Sequence, residues 1–321
     1  MKKRGKTMNL SKYIHLNRIE FVVTWHCTGK CRHCSVGDKL NYSTEFHHVQ
    51  PPKAAEAIRQ LSQLYDITSV MTFGGEPLLY PEVTANIHRT AAECGIHARQ
   101  LITNGFFSKK EARIDEVAQL LKDSGVNNLL LSVDAFHQET IPLEPVLRFA
   151  EYLQRVSLPG VQLSPAWLVN SAHENPYNTR TRELLSAFSD LNLPIGQGND
   201  IFLAGNATKY LSEYYPAAQL DLAQTCGSMP YTDPLTDITS LSIVPNGDVM
   251  ICSFPIGNIY QESIEEIVCH YDPYENECMR ALLSGGASEL LELAAQKGIE
   301  IDRSGCYSVC DLCRMVSGQI H

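Results

Sequence analysis

No stretch of this 321-residue chain approaches the ~20 consecutive apolar residues of a membrane helix, which excludes a spanning protein. No apolar segment follows the basic start, so a secretory signal is excluded too. Residues 1–18 lack any acid. Lys2, Lys3, Arg4, Lys6, Lys12 and Arg18 give them +6, so with a net charge of −10 the remainder carries −16. A body that acidic is a poor match for nucleic-acid phosphates, and a membrane-surface or targeting segment is the alternative reading of the basic start. Residues 1–18 read as a basic, solvated N-terminal tail. Gly5-Lys6-Thr7 looks like the end of a phosphate-binding loop, but it lacks the upstream glycine and strand and is rejected. Internal repeats and low-complexity tracts are absent. Hydrophobic residues are 44%, enough for a sizeable core, so the chain is not a disordered one. At ~150 residues per domain the length suggests two domains, or one large barrel with an appendage.

Cysteine is the residue in excess. There are eleven, an odd number, and no signal peptide. Clustered thiols in that setting read as metal or redox ligands in a reducing compartment, which points to the cytoplasm.

Apolar, β-branched runs at 19–24, 69–73, 97–103, 128–133, 161–169 and 195–203 alternate with helical patterns at 52–64, 81–94, 109–124, 143–156 and 179–191. Each strand–helix unit is about 31 residues long, the size of a unit that builds a parallel sheet. Six units are fewer than the eight of a closed barrel. The expected fold is therefore α/β: a partial (β/α)6 TIM-like barrel over 19–205 with a small cysteine-rich C-terminal extension over 206–321. In the extension, Pro245-Asn246-Gly247-Asp248 between two apolar runs signals a hairpin. Helical pattern follows at 263–268 and 289–297, broken by Gly285-Gly286, and 306–313 reads as a cysteine-rich knot.

Cys27, Cys31 and Cys34 form C-x3-C-x2-C directly after the first strand. Three thiolates on one short loop can converge on a metal centre, as in iron–sulfur and zinc sites. A four-iron cubane takes four ligands, so a three-cysteine loop leaves one iron open. A zinc site would need a fourth ligand, and His33 is too near in the chain to supply it comfortably. Ligands in parallel α/β sheets bind outside the carboxyl ends of the strands. There the second strand gives Gly74-Gly75-Glu76-Pro77, where the missing side chains let backbone approach a ligand and Glu76 or backbone carbonyls can accept from an ammonium. The third gives Thr103-Asn104-Gly105. The fourth gives Ser132-Val133-Asp134-Ala135-Phe136-His137, with a hydroxyl and a carboxylate on one strand face. His137 is either a substrate contact or a polar loop residue.

The segment Thr24-Trp25-His26-Cys27-Thr28-Gly29-Lys30-Cys31-Arg32-His33-Cys34 resembles the signature of the radical SAM (S-adenosylmethionine) family, with His33 as the flat residue before the third cysteine. Gly74-Gly75-Glu76-Pro77 resembles the same family's element for the methionine amino group. The resemblance covers about 19–205. It implies a 4Fe-4S cluster on Cys27, Cys31 and Cys34, with S-adenosylmethionine chelating the open iron. It further implies cofactor contacts at Gly74, Gly75, Glu76, Pro77 and Asn104, at Ser132 for the methionine carboxylate side and at Asp134 for the ribose hydroxyls. Gly196 and Gly198 fit the family's adenine-side wall. Strand five lacks the basic residue that many members use for the carboxylate.

Farther on, Cys306, Cys310 and Cys313 repeat the first spacing without a strand before them, and Gly247-x4-Cys252 closes the hairpin. With Cys226 upstream, this set resembles the short "twitch" form of the SPASM extension. That implies one auxiliary 4Fe-4S cluster on Cys226, Cys252, Cys310 and Cys313, with Cys306 as substitute ligand; zinc is the alternative metal. Cys94, Cys269 and Cys278 sit in or beside helical patterns and read as buried thiols.

The resemblance thus implies an enzyme that reductively cleaves S-adenosylmethionine to a 5′-deoxyadenosyl radical and abstracts hydrogen from a substrate. It would be an oxidoreductase or an epimerase, served by an electron donor such as flavodoxin or ferredoxin. The substrate is a small molecule or a peptide; a peptide-modifying maturase of the same family is the nearest alternative. Only about 18 residues precede the first strand, too few for a separate peptide-recognition domain. An iron–sulfur electron-transfer protein or a zinc-stapled binding protein would need neither Gly74-Gly75-Glu76-Pro77 nor six strand–helix units.

Overall fold

A computed structural model describes residues 9–37, 45–216, 220–227, 231–303 and 306–320. The tail residues Lys2, Lys3, Arg4 and Lys6 and the fragment Gly5-Lys6-Thr7 lie outside the described residues.

Four strand–helix units and a fifth strand follow one another: β1 (Ile14–Val22), α1 (Pro51–Leu64), β2 (Ser69–Phe73), α2 (Pro81–Glu93), β3 (Ala98–Thr103), α3 (Glu111–Asp123), β4 (Asn128–Ser132), α4 (Ala135–Gln138), α5 (Leu143–Arg155) and β5 (Val161–Ser164). All five strands pair in parallel in sequence order. Pro51-Pro52 opens α1, where the missing N–H groups cost nothing. The helices cover one sheet face. Alternate strand residues (Ile19, Phe21, Val70, Leu101, Leu129) are buried beneath them in two apolar cores.

The fifth strand is interrupted and the sixth is reduced. Pro165 separates β5 from β6 (Ala166–Trp167), and the strand expected at 195–203 survives only as a bridge at Ile195 and as β7 (Asn199–Asp200), parallel to β6. A proline cannot donate to the ladder, which accounts for the interruption. The sheet stays mostly parallel and does not close into a barrel. Helix α6 (Pro176–Ser186) precedes this segment and α7 (Asn206–Leu211) follows it.

The other edge departs from expectation. β8 (Ile238–Ile243) lies parallel to β1, and β9 (Asp248–Ile251) and β10 (Phe254–Asn258) continue as antiparallel hairpins. The extension is thus woven into the barrel sheet, in the order β10-β9-β8-β1-β2-β3-β4-β5. The first strand also starts earlier than residue 19. Ile14 and Leu16 are buried and alternate with exposed His15 and Asn17, so Ile14–Arg18 is strand rather than tail.

Helices α8 (Ile264–His270), α9 (Glu277–Gln296) and α10 (Val309–Ile320) pack on the helix-covered side. The expected C-terminal knot is the first turn of α10 and the residues just before it, and Gly285-Gly286 breaks α9 into two helical segments across a kink, as expected. Among the described residues, no helix is long and apolar enough to cross a membrane.

Candidate functional site

The first cysteine loop leaves the top of β1 and is clamped from two sides. Gly75 N donates to Thr24 O at 2.8 Å, and Glu76 N donates to His26 O at 2.7 Å. A Cβ at Gly75 would stand 2.1 Å from the His26 carbonyl oxygen. The close approach expected of a ligand is therefore made by the cysteine loop's own backbone. On the far side Asn206, the first residue of α7, donates from Nδ2 to Cys31 O at 3.1 Å and from N to Cys34 O at 2.9 Å. Sequence reasoning missed Asn206. Its signal was Gly205-Asn206 just past the last strand segment, a turn followed by a helix start.

Glu76 departs from its expected part. It is fully buried, with Oε1 accepting from Leu78 N at 2.9 Å and Thr103 Oγ1 at 2.7 Å, and Oε2 from Asn104 N at 2.8 Å. The side chain straps the rim of β2 to that of β3. Burial pushes its pKa up to about 7, against the pull of those three donors. Pro77 opens a buried 3-10 turn. Asn104 serves the cysteine loop: Nδ2 lies 3.7 Å from Cys27 Sγ and 3.2 Å from Thr28 Oγ1.

Ser132 is nearly buried at the end of β4. Asp134 was expected to share its face. The strand ends at Ser132, however, and Asp134 caps α4, accepting from Phe136 N at 3.0 Å and His137 N at 2.9 Å. Its other oxygen takes His137 Nδ1 at 2.7 Å and Ala166 N at 3.1 Å, so the carboxylate is fully engaged within the protein and does not reach out to ribose hydroxyls. Burial alone would raise Asp134; the His137 pair outweighs it and holds the group down at about 2. Burial likewise pulls His137 down, and the Asp134 carboxylate leaves it net raised.

His33 packs edge-on to His137 (4.7 Å between centroids) and against Phe136 (5.1 Å). Burial lowers its pKa to about 4, and its buried Nδ1 has no hydrogen-bond partner among the described residues. One ligand atom from each of His33, Asp134 and His137 lies within 4.8 Å of the others, and His33 directly precedes the third cysteine of the loop. Burial raises Cys27 to about 12 and Cys31 higher, so cluster assembly must displace thiol protons. Three thiols beside an unpartnered nitrogen suit a three-cysteine cluster carrying an exchangeable ligand.

The second cysteine set meets at one cavity. Cys226, Cys252, Cys310 and Cys313 line it with Leu282 and Val309. Cys310 and Cys313 stand three apart on one face of α10. Cys252 sits in the two-residue turn between β9 and β10 at φ 52°, a conformation costly for a non-glycine residue and typical of functional positions. Cys226 arrives on a segment that rests in the kink of α9, where Ser288 N donates to Leu222 O at 3.0 Å. Gly286 makes the kink at φ 70°, and a Cβ there would lie 2.7 Å from the Ala223 carbonyl. Cys306 lies apart from this set, among Asp311, Asp302 and Arg303. Burial raises Cys226 to about 12, with Cys252 and Cys310 adding to it. The donor set is all sulfur, which fits iron–sulfur or zinc chemistry. Of the three thiols read as buried, only Cys278 is fully so; Cys94 and Cys269 are half-buried.

Comparison with known proteins agrees with this division. The Radical SAM superfamily matches residues 21–164, and the SPASM iron-sulfur cluster-binding domain matches residues 237–314. GTP 3′,8-cyclase of Limosilactobacillus fermentum is 27% identical over 121 residues, 38% of this chain and 34% of that one. The cyclase of Aquifex aeolicus is 28% identical over 131 residues, 40% and 38% respectively. The chain thus spans just over a third of the length of these relatives. A solved structure of native anSMEcpe with bound AdoMet shares the fold at TM-score 0.52 and 13% identity, covering 83% of this chain and 82% of that one.

Proposed function

This chain carries a radical SAM domain joined to a C-terminal iron–sulfur SPASM extension, and from that premise we propose that it is an oxidoreductase acting on an unactivated C–H bond. Its cofactors are 4Fe-4S clusters and S-adenosylmethionine. In this reading Cys27, Cys31 and Cys34 hold the cluster that binds S-adenosylmethionine, and Cys226, Cys252, Cys310 and Cys313 hold the auxiliary one. When bound, the first cluster and S-adenosylmethionine supply a one-electron reductive cleavage that ends in hydrogen abstraction from substrate.

The chain's own residues position and shield that chemistry. Glu76 ties two strand ends together, and Asn206 fixes the carbonyls of Cys31 and Cys34. Asn104 offers an N–H to the Cys27 sulfur, which would stabilise a more reduced cluster. With the Glu76 side chain engaged, ammonium recognition falls to backbone carbonyls of the Gly74–Pro77 turn. Asp134 orients His137 and through it the buried face of His33.

The observation that carries the reading is the clamped three-cysteine loop at the carboxyl ends of a parallel sheet, with a buried His33 nitrogen that has no partner among the described residues. Oxidation is favoured over epimerisation by the spare thiols. An epimerase would need a hydrogen-donating cysteine at the barrel mouth, and Cys306, Cys269 and Cys278 are the spare thiols that could serve. Cys278 and Cys306 lie instead in the apolar core under the helices, and Cys269 is on α8 in that outer layer. A four-cysteine cluster has no open position and suits electron transfer.

The test is anaerobic reconstitution followed by reduction with dithionite. The protein should form 5′-deoxyadenosine slowly from S-adenosylmethionine without added substrate. The Cys27→Ala/Cys31→Ala/Cys34→Ala variant should form none and retain about four irons, one cubane. Product from that variant would refute the assignment of the first site, and zinc or no metal in it would refute the second.

A further inference from the structure

The interior of a closed parallel barrel is packed with branched apolar side chains. The inner face here is different. Successive pairings place Ser242, Glu20, Met71, Gln100 and Asn128 side by side across five strands. Their strand neighbours Ile19, Phe21, Val70, Leu101 and Leu129 face the helices, so this row faces the barrel. Arg18 joins it from β1. Its Nε donates to Glu20 Oε1 at 2.8 Å and its Nη2 to Gln100 Oε1 at 3.1 Å, while Ser242 Oγ donates to Glu20 Oε2 at 3.1 Å. The row is not sealed: the Arg18 and Glu20 side chains remain 32% and 22% exposed. Between this floor and the cysteine rim, Phe73, Ile102 and Leu130 are partly exposed.

An ion pair on a barrel floor costs desolvation and does little for stability that packed leucines would not do better. Its composition describes what it can hold. The floor carries one cation and one anion, already paired. A nucleoside triphosphate would bring several negative charges to a single arginine that is spoken for. A hydrocarbon would seal the Arg18–Glu20 pair and the Gln100 and Asn128 amides from water with only protein partners for their remaining hydrogen-bonding capacity. A hydroxyl both donates and accepts, so it can pair with Glu20, with the guanidinium or with an amide. The apolar wall above the floor suits the C–H faces of a ring.

We propose that this floor is the substrate-recognition site and that it takes a small, uncharged, hydroxyl-rich molecule of the sugar or cyclitol type, with Arg18 and Glu20 as its specificity determinants. The inference rests on the reading of the chain as a radical SAM enzyme, and it places the bound ring between the floor and the first cysteine loop.

The test uses the full chain, reconstituted anaerobically with S-adenosylmethionine, and saturation-transfer NMR with three probes: myo-inositol, D-glucose and GTP. At least one polyol should give a signal and GTP none. Arg18→Met/Glu20→Gln keeps the volume and removes both charges. It should weaken polyol binding about tenfold or more, the loss of one or two charge-assisted hydrogen bonds. If that variant does not fold, Ser242→Ala removes one hydroxyl and should also weaken the signal. GTP binding in place of polyol binding, or equal polyol binding by the variants, overturns the inference. A wild-type protein that makes 5′-deoxyadenosine but binds neither polyol overturns it too and leaves the enzyme class standing. A protein that makes no 5′-deoxyadenosine overturns the class itself.

Discussion

Replacing Gly75 by alanine adds one methyl group at the tightest point of the first site. Its Cβ would stand 2.1 Å from the His26 carbonyl oxygen and 2.6 Å from the carbonyl carbon. Non-bonded carbon and oxygen resist approach below ~3 Å, so the two backbones must part by about 1 Å. Two hydrogen bonds cross that seam, Gly75 N to Thr24 O and Glu76 N to His26 O, at 2.8 and 2.7 Å. Stretched that far, both fall outside bonding geometry. At ~1 kcal/mol each, plus ~1–3 kcal/mol for overpacking, the cost is about 3–5 kcal/mol. A domain stable by ~5–15 kcal/mol can absorb that and still fold. The cluster cannot, because Cys27 follows His26 directly and metal–ligand distances tolerate only about 0.2 Å. The sequence alone suggests a different outcome, loss of S-adenosylmethionine with both clusters intact. Iron analysis after anaerobic reconstitution separates the two. Wild type should hold about eight irons, two cubanes, and Gly75→Ala about four, with those four lost on adding Cys252→Ala. A Gly75→Ala protein with about eight irons and normal S-adenosylmethionine binding would refute the reasoning.

The mirror case is Gly286→Ala, whose Cβ would press on the Ala223 carbonyl and push away the segment bearing Cys226; iron should again fall to about four, now from the first cluster, as read by EPR. Asn206→Ala frees the carbonyl of Cys31, while the backbone N–H of residue 206 still holds that of Cys34; it should cost ~1 kcal/mol of apo-protein stability in urea melts and hasten iron loss to chelator. The Asp134–His137 pair gives a pH signature in the metal-free chain. Folding raises His137, so its contribution is present below the unfolded value of ~6.5 and lost as pH rises through the folded value; it lowers Asp134 from 3.8 to about 2, so that contribution is present above ~4 and lost as pH falls through 2. Relative to His137→Gln, wild-type stability should therefore peak between about pH 4 and 6.5, and parallel melting curves across that range would contradict the pair.

What was legible in the sequence was local. Strand–helix alternation at about 31 residues per unit and the two cysteine spacings are short-range patterns; β2, β3 and β4 and the helices α1, α2, α3 and α5 formed within about two residues of their expected ends, whereas β1 starts at Ile14, α6 ends at Ser186 and the sixth strand is reduced to Asn199–Asp200. The misreadings have physical causes. Asp134 was given a strand's alternation two residues beyond the strand's end, although Asp-Ala-Phe-His reads equally as a helix cap. Arg18 was counted with the basic tail because charge outweighed the Ile14/Leu16 alternation that makes it strand. The role of Gly75 could not be seen because its neighbour in space is His26, 49 positions away. Cys226 and Cys306 could not be told apart, because the choice is made by a kink in α9 that neither cysteine's spacing encodes.

The pairing of β8 with β1 left no local trace at all, and it sets the geometry of the whole molecule. β8 runs beside β1 toward the rim where the first cysteine loop begins, and β9 returns antiparallel. Ser242 pairs with Met250, which puts Cys252 level with Ser240, and Ser240 pairs with Arg18. The strand from Arg18 to Val22 rises ~13 Å at ~3.3 Å per residue. The two cysteine sets are therefore displaced along one strand direction, the first beyond its top and Cys252 level with the barrel floor. A substrate on Arg18 and Glu20 would present its upper face to the first loop while its lower end stood at the height of the second set. An electron leaving an oxidised substrate would then move down the sheet, away from the site where the hydrogen was taken. That separation follows from the register of β1, β8 and β9, and a return by β9 in any other register would place Cys252 at a different height along β1.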